Sequence, residues 1–504
     1  MSEKLKERKQ KLITFFKDKT NLIALVVILF AIGIRIYYLF LVKSQPLWWD
    51  EAELMLQAKH YAFGIPNTGW FPYREPLLPI IWGFFFKLGL GEFFIRFIES
   101  IFSITAIIFT YLLGKEIFDK KTAIIATSFL SFFYLHLFYS LRFMSEAPTL
   151  AFATMTIYFF WKGYFKKAGI KYLILSGLSL AIGFLSYYAV GFIVPILLLL
   201  LVAVEKVRFL RRKDLWIAFT IIVILISPYM IYSLNKYHTP FPRLYALSAS
   251  ISEPGTVTAT AGWFYYVKLF PTYLQFLLLI VFILGFLYLL LNIILGFDLI
   301  IKDSNEDLGK DLLLILWILI PIIILSYTAF KTSGHGEDRY LMLIFPAVFL
   351  VSSRIIVKIS DYIKKFNSII AVAFIILVIL IAGFQQIKFA DSLIKNKATS
   401  YDIIKAAGLW VKQNSQPGDV VISNSIPQNT YYSEKATYYA FEDEKIKSYR
   451  PKYLIWSVFE NSGKPDSDYT KYIQSHQSEL KPVQAYFADK EQKQPILIIF
   501  EFIS

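Results

Sequence analysis

Two adjacent carboxylates have a position in the sequence that suits chemistry. Asp50 and Glu51 follow an apolar run, roughly residues 21–42, which is long enough to cross a bilayer once. Trp48 and Trp49 directly precede the pair, and tryptophan is enriched at the membrane–water interface. Idle carboxylates are costly at that depth, since partial burial and a neighbouring like charge both disfavour ionisation. The pair is therefore a candidate for catalysis, and a solvated acidic loop is the alternative.

Further charged residues lie at the ends of other apolar segments. Arg142 and Glu146 are four residues apart, so they can pair if one helix continues through both. A single lysine or arginine at such a place more often reaches toward lipid headgroups. Taken together, however, the acids and bases predict one outer cavity that suits a phosphate-bearing lipid beside a carboxylate base. Its predicted members besides Asp50 and Glu51 are Glu53, His60, Arg74, Glu75, Arg142, Glu146, Lys331, His335 and Arg339, and the outer loop 232–271 adds Lys236, His238 and Arg243.

The composition predicts which kind of scaffold positions these residues. Of the 504 residues, 56% are hydrophobic and 18% aromatic, and the mean hydropathy is +0.53. The apolar residues come in blocks, which predicts a polytopic α-helical membrane protein, because helices satisfy their own backbone hydrogen bonds in lipid. The chain has no cysteine, which excludes disulfides and cysteine-based chemistry. The net charge of +15 is distributed as membrane topology requires, so we expect no nucleic-acid partner.

The apolar blocks predict about eleven transmembrane helices. A shorter apolar stretch, Leu77–Leu90, has prolines at its start and Lys87 inside, which indicates an interfacial or re-entrant helix. The predicted spans are 22–42, 93–114, 122–141, 147–161, 172–189, 191–204, 215–232, 271–296, 312–330, 340–353 and 367–388.

The distribution of lysine and arginine predicts the orientation in a cell membrane. About 25 of them lie in the arm 1–21 and in alternate loops, against about nine in the short loops opposite, and the richer side should be cytoplasmic. No cleavage site follows the first span, which we expect to remain as a signal anchor. An odd number of spans places the C-terminus outside the cytoplasm.

The character of the sequence changes after the last predicted span. Residues 390–504 contain one helical pattern and three short β-branched runs, 420–423, 453–458 and 495–500, which are too short to span a bilayer and predict strands. The predicted organisation is a cytoplasmic basic arm 1–21, a transmembrane domain 22–388 and a small extracytoplasmic α/β domain 389–504.

Four short motifs resemble those of one enzyme family. The chain is similar to membrane glycosyltransferases of the GT-C superfamily, and most similar to the branch of protein O-mannosyltransferases and the aminoarabinose transferases that modify lipid A. Relatives often carry a His-Pro-Pro-Leu-like segment where this chain has Arg74-Glu-Pro-Leu77, so the resemblance leaves the roles of Arg74 and Glu75 open. The motifs are Trp49-Asp-Glu-Ala52, Arg74-Glu-Pro-Leu77, Ser145-Glu-Ala-Pro148 and Glu337-Asp-Arg-Tyr-Leu341.

The resemblance implies inverting transfer of a sugar from a polyprenyl-phosphate carrier to a protein, lipid or glycan acceptor outside the cytoplasm. In that family the first-loop aspartate, here Asp50, is the catalytic carboxylate, and Glu51 stands beside it. Cationic side chains neutralise the lipid phosphate that leaves. We expect Arg142, Lys331 and Arg339 in this role, with Arg74 as a further candidate.

The sequence leaves open whether the site holds a metal ion and which of two other protein classes is an alternative. Some relatives hold a divalent metal ion near the first-loop acid, and Asp50, Glu51 and Glu146 have the oxygen ligands for one. Glu75, Glu146 and His335 are candidates for orienting the acceptor or a metal. A polyprenyl-linked oligosaccharide polymerase or ligase is an alternative, although it would rely on outer-loop arginines without this acidic pair. A transporter is a second alternative, although it would place ionisable groups at mid-membrane.

Overall fold

The computed structural model describes residues 16–71, 73–246, 262–296, 306–331, 336–458, 468–488, 491 and 493–503. Helices dominate it. They are α1 Lys19–Leu41, α2 Trp49–Phe63, α3 Leu77–Lys87, α4 Glu92–Ile117, α5 Lys120–Phe132, α6 Tyr134–Tyr139, α7 Glu146–Tyr164, α8 Ile170–Ser186, α9 Ile193–Glu205, α10 Lys213–Tyr237, α11 Tyr265–Lys268, α12 Phe270–Leu295, α13 Glu306–Lys331, α14 Phe345–Lys364, α15 Ser368–Lys397, α16 Asp402–Asn414, α17 Ile426–Ser433, α18 Asp443–Tyr449 and α19 Asp468–Ser475. Short 3₁₀ segments are Tyr188–Phe192, Arg208–Arg211 and Asp338–Ile344.

Within the described ranges, eight helical segments are long and apolar enough to cross a membrane. The chain is therefore a multi-pass helical membrane protein, as predicted. The eight segments coincide with eight of the predicted spans, and the predicted count of about eleven is not confirmed. The segments are Lys19–Leu41, Glu92–Ile117, Tyr188–Glu205, Lys213–Tyr237, Phe270–Leu295, Gly309–Lys331, Asp338–Lys364 and Ser368–Asn414.

The three other predicted spans correspond to shorter or more polar helices. The span predicted at 122–141 is two helices, α5 and α6, which are separated at Phe133. The one predicted at 172–189 is the 17-residue α8. The one predicted at 147–161 is α7, which carries buried threonines. A helix that packs against neighbouring helices needs fewer apolar side chains on its surface than a helix that faces lipid.

The break at Phe133 is stabilised by side chains from other helices. A helix end leaves backbone groups without intrahelical partners. Arg35 of α1 donates to the Ser131 carbonyl oxygen at 3.1 Å, and the Gln386 side-chain oxygen of α15 accepts from the Tyr134 backbone nitrogen at 3.1 Å. The two buried side chains satisfy backbone groups on either side of the break.

The chain divides into two compact units. The membrane unit comprises the described parts of 1–40, 97–141 and 145–394, and the second unit those of 41–96, 142–144 and 395–504. The division differs from the predicted boundary at residue 389, because the first loop groups with the C-terminal residues. We call the second unit the loop–sheet unit.

The loop–sheet unit contains a five-stranded mixed sheet with the strand order β2-β1-β3-β5-β4. Strand β1 pairs in parallel with β2 and β3, whereas β5 is antiparallel to β3 and β4. Ile404, Ala407 and Val411 of α16 pack with buried side chains of the sheet. The strands are β1 Val420–Ser423, β2 Ala436–Tyr438, β3 Tyr453–Ser457, β4 Leu480–Phe487 and β5 Pro495–Phe502.

The first loop packs on this sheet layer through α17. The Leu47 backbone nitrogen donates to the Tyr432 hydroxyl at 2.9 Å, and the Tyr431 hydroxyl donates to Glu92 at 2.9 Å. Lys59 of α2 forms an ion pair of 3.0 Å with Glu434. The C-terminal residues therefore support the helix that carries Asp50 and Glu51.

Candidate active site

Glu51 is a buried anchor at the start of α2. Its side chain has no solvent exposure. One carboxylate oxygen accepts from the Trp48 backbone nitrogen at 2.9 Å and from Arg142 Nη1 at 2.9 Å. The other accepts from the Phe143 backbone nitrogen at 3.0 Å. The contact to Trp48 is the reciprocal bond of a capping box, which fixes where the helix begins. Both carboxylate oxygens of Glu51 therefore accept hydrogen bonds that stabilise the start of α2.

Arg142 is enclosed together with Glu51. Only 1% of its side chain is exposed, and its guanidinium carbon lies 3.6 Å from the centre of the Trp48 ring. This geometry is a cation–π contact added to a buried ion pair. Arg142 was predicted to bind the donor phosphate. Glu51 and Trp48 contact the guanidinium in this arrangement, and the role of Arg142 toward a phosphate stays a prediction.

Asp50 has a more open environment than its neighbour. Its side chain is 29% exposed, and its Oδ1 accepts from Arg74 Nη2 at 2.8 Å. The same guanidinium binds Glu53, with Nε 2.7 Å from Oε2. Residues three apart on a helix share a face, so α2 presents Asp50 and Glu53 to one arginine. Arg74 thus fixes the orientation of Asp50 while solvent still reaches that carboxylate.

Glu53 belongs to the same ion-pair group as Asp50 and Arg74, and it is more buried than either of them. Its side chain is 10% exposed, and its Oε1 accepts from the Trp49 indole nitrogen at 2.9 Å. Burial raises the pKa of the Glu53 carboxyl above its ordinary value, although the charge of Arg74 opposes that shift. Glu53 was predicted only as a member of the charged cluster in the first loop, although its spacing of three residues from Asp50 places both side chains on one face of a helix. Glu75, adjacent to Arg74, is buried.

The membrane unit contains a second charged group, built on Arg339. This residue lies in the 3₁₀ segment Asp338–Ile344, and 8% of its side chain is exposed. Its Nε is 2.7 Å from a Glu337 oxygen and 3.3 Å from Glu146 Oε1. Arg142 pairs with Glu51 and Arg339 pairs with Glu146, and the pairing of Arg142 with Glu146 that the spacing suggested stays a prediction.

Tyrosines shape the surroundings of Arg339. A pocket beside Arg339 and Glu146 is lined by Tyr187, Tyr188 and Tyr340, among other residues. The Arg243 guanidinium carbon lies 5.5 Å from the centre of the Tyr187 ring and 5.2 Å from that of Tyr188. The sequence placed Arg243 in an outer loop without assigning it a role. Because its partners are aromatic rings far away in sequence, no local pattern would have revealed it.

Two other predicted site residues lie near the end of α13 in sequence. Lys331 is the last residue of α13 and is exposed. His335 lies outside the residues that the structure describes. The segment that follows is anchored by tyrosine hydroxyls, since Tyr265 donates to the Gly336 carbonyl oxygen at 2.7 Å and Tyr273 to that of Asp338 at 2.6 Å.

Ion pairs occupy the carboxylates that the sequence offers as metal ligands. Across the described ranges, no group of three or more His, Cys, Asp or Glu side chains is placed to hold a metal ion. Asp50, Glu51 and Glu146 were the possible ligands. Each of them forms an ion pair with an arginine, namely Arg74, Arg142 and Arg339 respectively. A guanidinium at this position competes with a divalent cation for the same oxygen atoms.

Comparison with known proteins adds family and fold information. The family model for dolichyl-phosphate-mannose-protein mannosyltransferase matches residues 72–232. This range contains Arg74, Arg142 and Glu146. No curated protein has a sequence that significantly matches the chain.

Solved structures match nearly the whole chain. ArnT from Cupriavidus metallidurans bound to undecaprenyl phosphate has a TM-score of 0.66 at 10% identity, covering 94% of this chain and 97% of ArnT. Its apo form has a TM-score of 0.65 at 11% identity with the same coverage. The oligosaccharyltransferase AglB from Archaeoglobus fulgidus, in complex with an inhibitory peptide and a dolichol-phosphate, has a TM-score of 0.63 at 14% identity, covering 88% of this chain and 70% of AglB.

The chain has a GT-C fold. This confirms the resemblance predicted from the four motifs, and the match extends over both units of the chain. Within the GT-C fold of this chain, Asp50 is the accessible carboxylate of the pair after the first span and Glu51 is the enclosed one.

Proposed function

We propose that this GT-C protein transfers a sugar from a polyprenyl-phosphate carrier to a hydroxyl group of an acceptor. The observation that carries the proposal is the arrangement of Asp50, which is oriented by Arg74 and yet 29% exposed. A base that is both oriented and accessible is what activation of a hydroxyl group requires. Further support comes from the matched structures that contain undecaprenyl phosphate and dolichol-phosphate.

The proposed reaction is a single inverting displacement. The acceptor oxygen bonds to the anomeric carbon of the sugar as the bond from that carbon to the phosphate oxygen breaks. The acceptor proton passes to Asp50, and the polyprenyl phosphate leaves as an anion. A phosphate is stable as a leaving anion, so the reaction needs cationic stabilisation rather than a strong general acid.

We assign the carrier phosphate to the cations of the membrane unit. Arg339 forms ion pairs with Glu337 and Glu146, and a phosphate can take the place of one carboxylate on the guanidinium. Lys331 is an exposed second cation. Arg142 and Glu51, in contrast, are assigned a positioning role, because each covers the other.

The proposed topology follows from loop charge. The N-terminus is cytoplasmic, and residues 389–504 lie outside the cytoplasm together with Asp50. A glycosylation or protease-accessibility reporter fused after Ser504 should give an extracytoplasmic signal. A cytoplasmic signal would require a different number of spans and would move Asp50 or the C-terminal residues to the other side.

The experiment that tests the activity uses purified protein with a panel of polyprenyl-phosphate sugars. Peptide, lipid and glycan acceptors are offered separately, and released polyprenyl phosphate is measured with the anomeric configuration of the product. We expect acceptor-dependent release with inversion for at least one donor. Consumption of only pyrophosphate-linked oligosaccharides would support the polymerase or ligase instead. Movement of a donor across vesicles without release would support a transporter.

A further inference from the structure

A cationic turn joins the ends of two membrane helices. Helix α9 ends at Glu205 and α10 begins at Lys213, and the 3₁₀ turn Arg208–Arg211 lies between them. Four cations of this connection are exposed, and we call them the cationic rim: Lys206, Arg208, Arg211 and Lys213.

The acidic residues of this connection have their own partner. Arg212 binds Asp214 through Nε at 3.1 Å and Nη2 at 2.7 Å, and its Nη1 is 3.3 Å from Glu205. The Trp216 indole nitrogen donates to the Leu210 carbonyl oxygen at 2.7 Å. These bonds hold both acids on Arg212 and fix the turn, and the cationic rim keeps the net charge of the connection positive.

An apolar groove begins at the same turn. Its volume is about 330 Å³, which is within the range of ligand sites, roughly 300–1,000 Å³. Phe209, Leu210 and Trp216 line its end at the turn, and Leu180, Leu197 and Leu201 are among the residues farther along. One hydroxyl group lines it, that of Ser176, which donates to the Thr156 carbonyl oxygen at 2.9 Å. The lining therefore suits a hydrocarbon chain.

We propose that the groove and the cationic rim form a binding site for one anionic phospholipid of the bilayer. An acyl chain occupies the groove, and the headgroup phosphate is bound by Lys206, Arg208 and Arg211. Basic clusters beside the end of a membrane helix bind acidic headgroups, and each charge contributes about fivefold in affinity. Charge complementarity selects an anionic lipid over a zwitterionic one. The site is separate from Asp50 and Arg339 and does not depend on the proposed reaction.

The test of the headgroup contact uses the full-length protein in detergent. Native mass spectrometry compares retention of phosphatidylglycerol with that of phosphatidylcholine during titration. We expect the triple substitution Lys206→Gln, Arg208→Gln and Arg211→Gln to weaken phosphatidylglycerol binding on the order of a hundredfold. The matched control replaces three exposed lysines at the end of α14, Lys358, Lys364 and Lys365, by glutamine. It should change binding by less than about twofold, and an equal loss in both triple variants would overturn the proposal.

The test of the acyl-chain contact uses two neighbouring leucines of α9. Leu198 and Leu199 are both 47% exposed, but of the two only Leu198 lines the groove. Leu198→Trp should fill the groove and reduce retention of phosphatidylglycerol at least tenfold, whereas Leu199→Trp should leave it unchanged. Undecaprenyl phosphate is added as a competitor. If it displaced phosphatidylglycerol stoichiometrically at equal concentration, the groove would be a carrier site and the proposal would be wrong.

Discussion

Arg74 and Asp50 form an ion pair of 2.8 Å in which the arginine is the more enclosed partner. The Arg74 side chain is 13% exposed and that of Asp50 is 29% exposed. The guanidinium is also bound by Glu53, so its position does not depend on Asp50 alone. The arrangement keeps the accessible carboxylate in one orientation, as a pre-oriented base requires.

Arg74 should therefore affect turnover through the orientation of Asp50. We expect Arg74→Met to lower kcat roughly 10- to 100-fold, because misplacement of a reacting group by about 1 Å has an effect of that size. Arg74→Lys should retain part of the activity, since an ammonium group does not bind both carboxylates in the same planar geometry. Arg450→Met, at an exposed arginine of the loop–sheet unit, is the control. Wild-type kcat in Arg74→Met would remove Arg74 from this role.

Glu51 should be needed mainly for stability. Removing the charge of one partner from a buried ion pair costs about 3–5 kcal/mol, and Glu51 also accepts two backbone hydrogen bonds. Glu51→Gln should lower the thermal unfolding temperature clearly. Glu491→Gln is the control, because Glu491 pairs with Lys493 while both are more than two-thirds exposed. Equal unfolding temperatures for Glu51→Gln and wild type would show that the buried pair has no anchoring role.

Much of this arrangement could be predicted from the sequence. Hydropathy predicted eight spans that the structure contains, because lipid-facing helices must be uniformly apolar. It was less reliable for α5 and α7, whose buried serine and threonine hydroxyls bond back to their own helices. The partner of Glu51 was not predictable, since Arg142 is 91 residues away. The spacing of Arg142 and Glu146 suggested a local pair, whereas it gave no sign of the ion pairs that these residues form with Glu51 and Arg339.

Arg339 should determine how well the carrier is bound. A hydrogen bond to a charged group contributes about 1.5–3 kcal/mol, which corresponds to about 10- to 100-fold in affinity. We expect Arg339→Lys to raise the KM for the donor about tenfold and Arg339→Ala by more, with Lys331→Ala intermediate. The measurement is initial rate against donor concentration at saturating acceptor. If Arg339→Ala lowered the unfolding temperature but left the donor KM unchanged, Arg339 would only anchor its segment through Glu337 and Glu146.

The pair of lysines on Glu434 predicts an acid-sensitive contribution to stability. Burial acts to raise the pKa of Glu434, but Lys412 at 2.7 Å and Lys59 at 3.0 Å outweigh it, so the pKa lies below the ordinary 4.5. A carboxylate with a lowered folded-state pKa stabilises the fold above its unfolded-state pKa, and this contribution is lost as pH falls through the folded-state value. The difference in unfolding temperature between wild type and Glu434→Gln should therefore be largest above pH 4.5. It should disappear as the pH falls below the folded-state pKa of Glu434.

The control for this pH series is Glu442→Gln. Glu442 pairs with Lys445 at a position where both side chains are more than half exposed, and exposed pairs contribute little. A difference between wild type and Glu434→Gln that grew as the pH fell would contradict the assigned direction of the shift.

The turnover number of Asp50→Asn tests the central claim most directly. Asparagine keeps the size of the side chain and a hydrogen bond to Arg74 but does not accept the proton of the acceptor. With an active donor and acceptor, release of polyprenyl phosphate should fall by about 10² or more, the lower end of general-base contributions. The donor's dissociation constant and the unfolding temperature should stay near those of the wild type. Near-normal turnover in Asp50→Asn, with donor binding intact, would contradict the account.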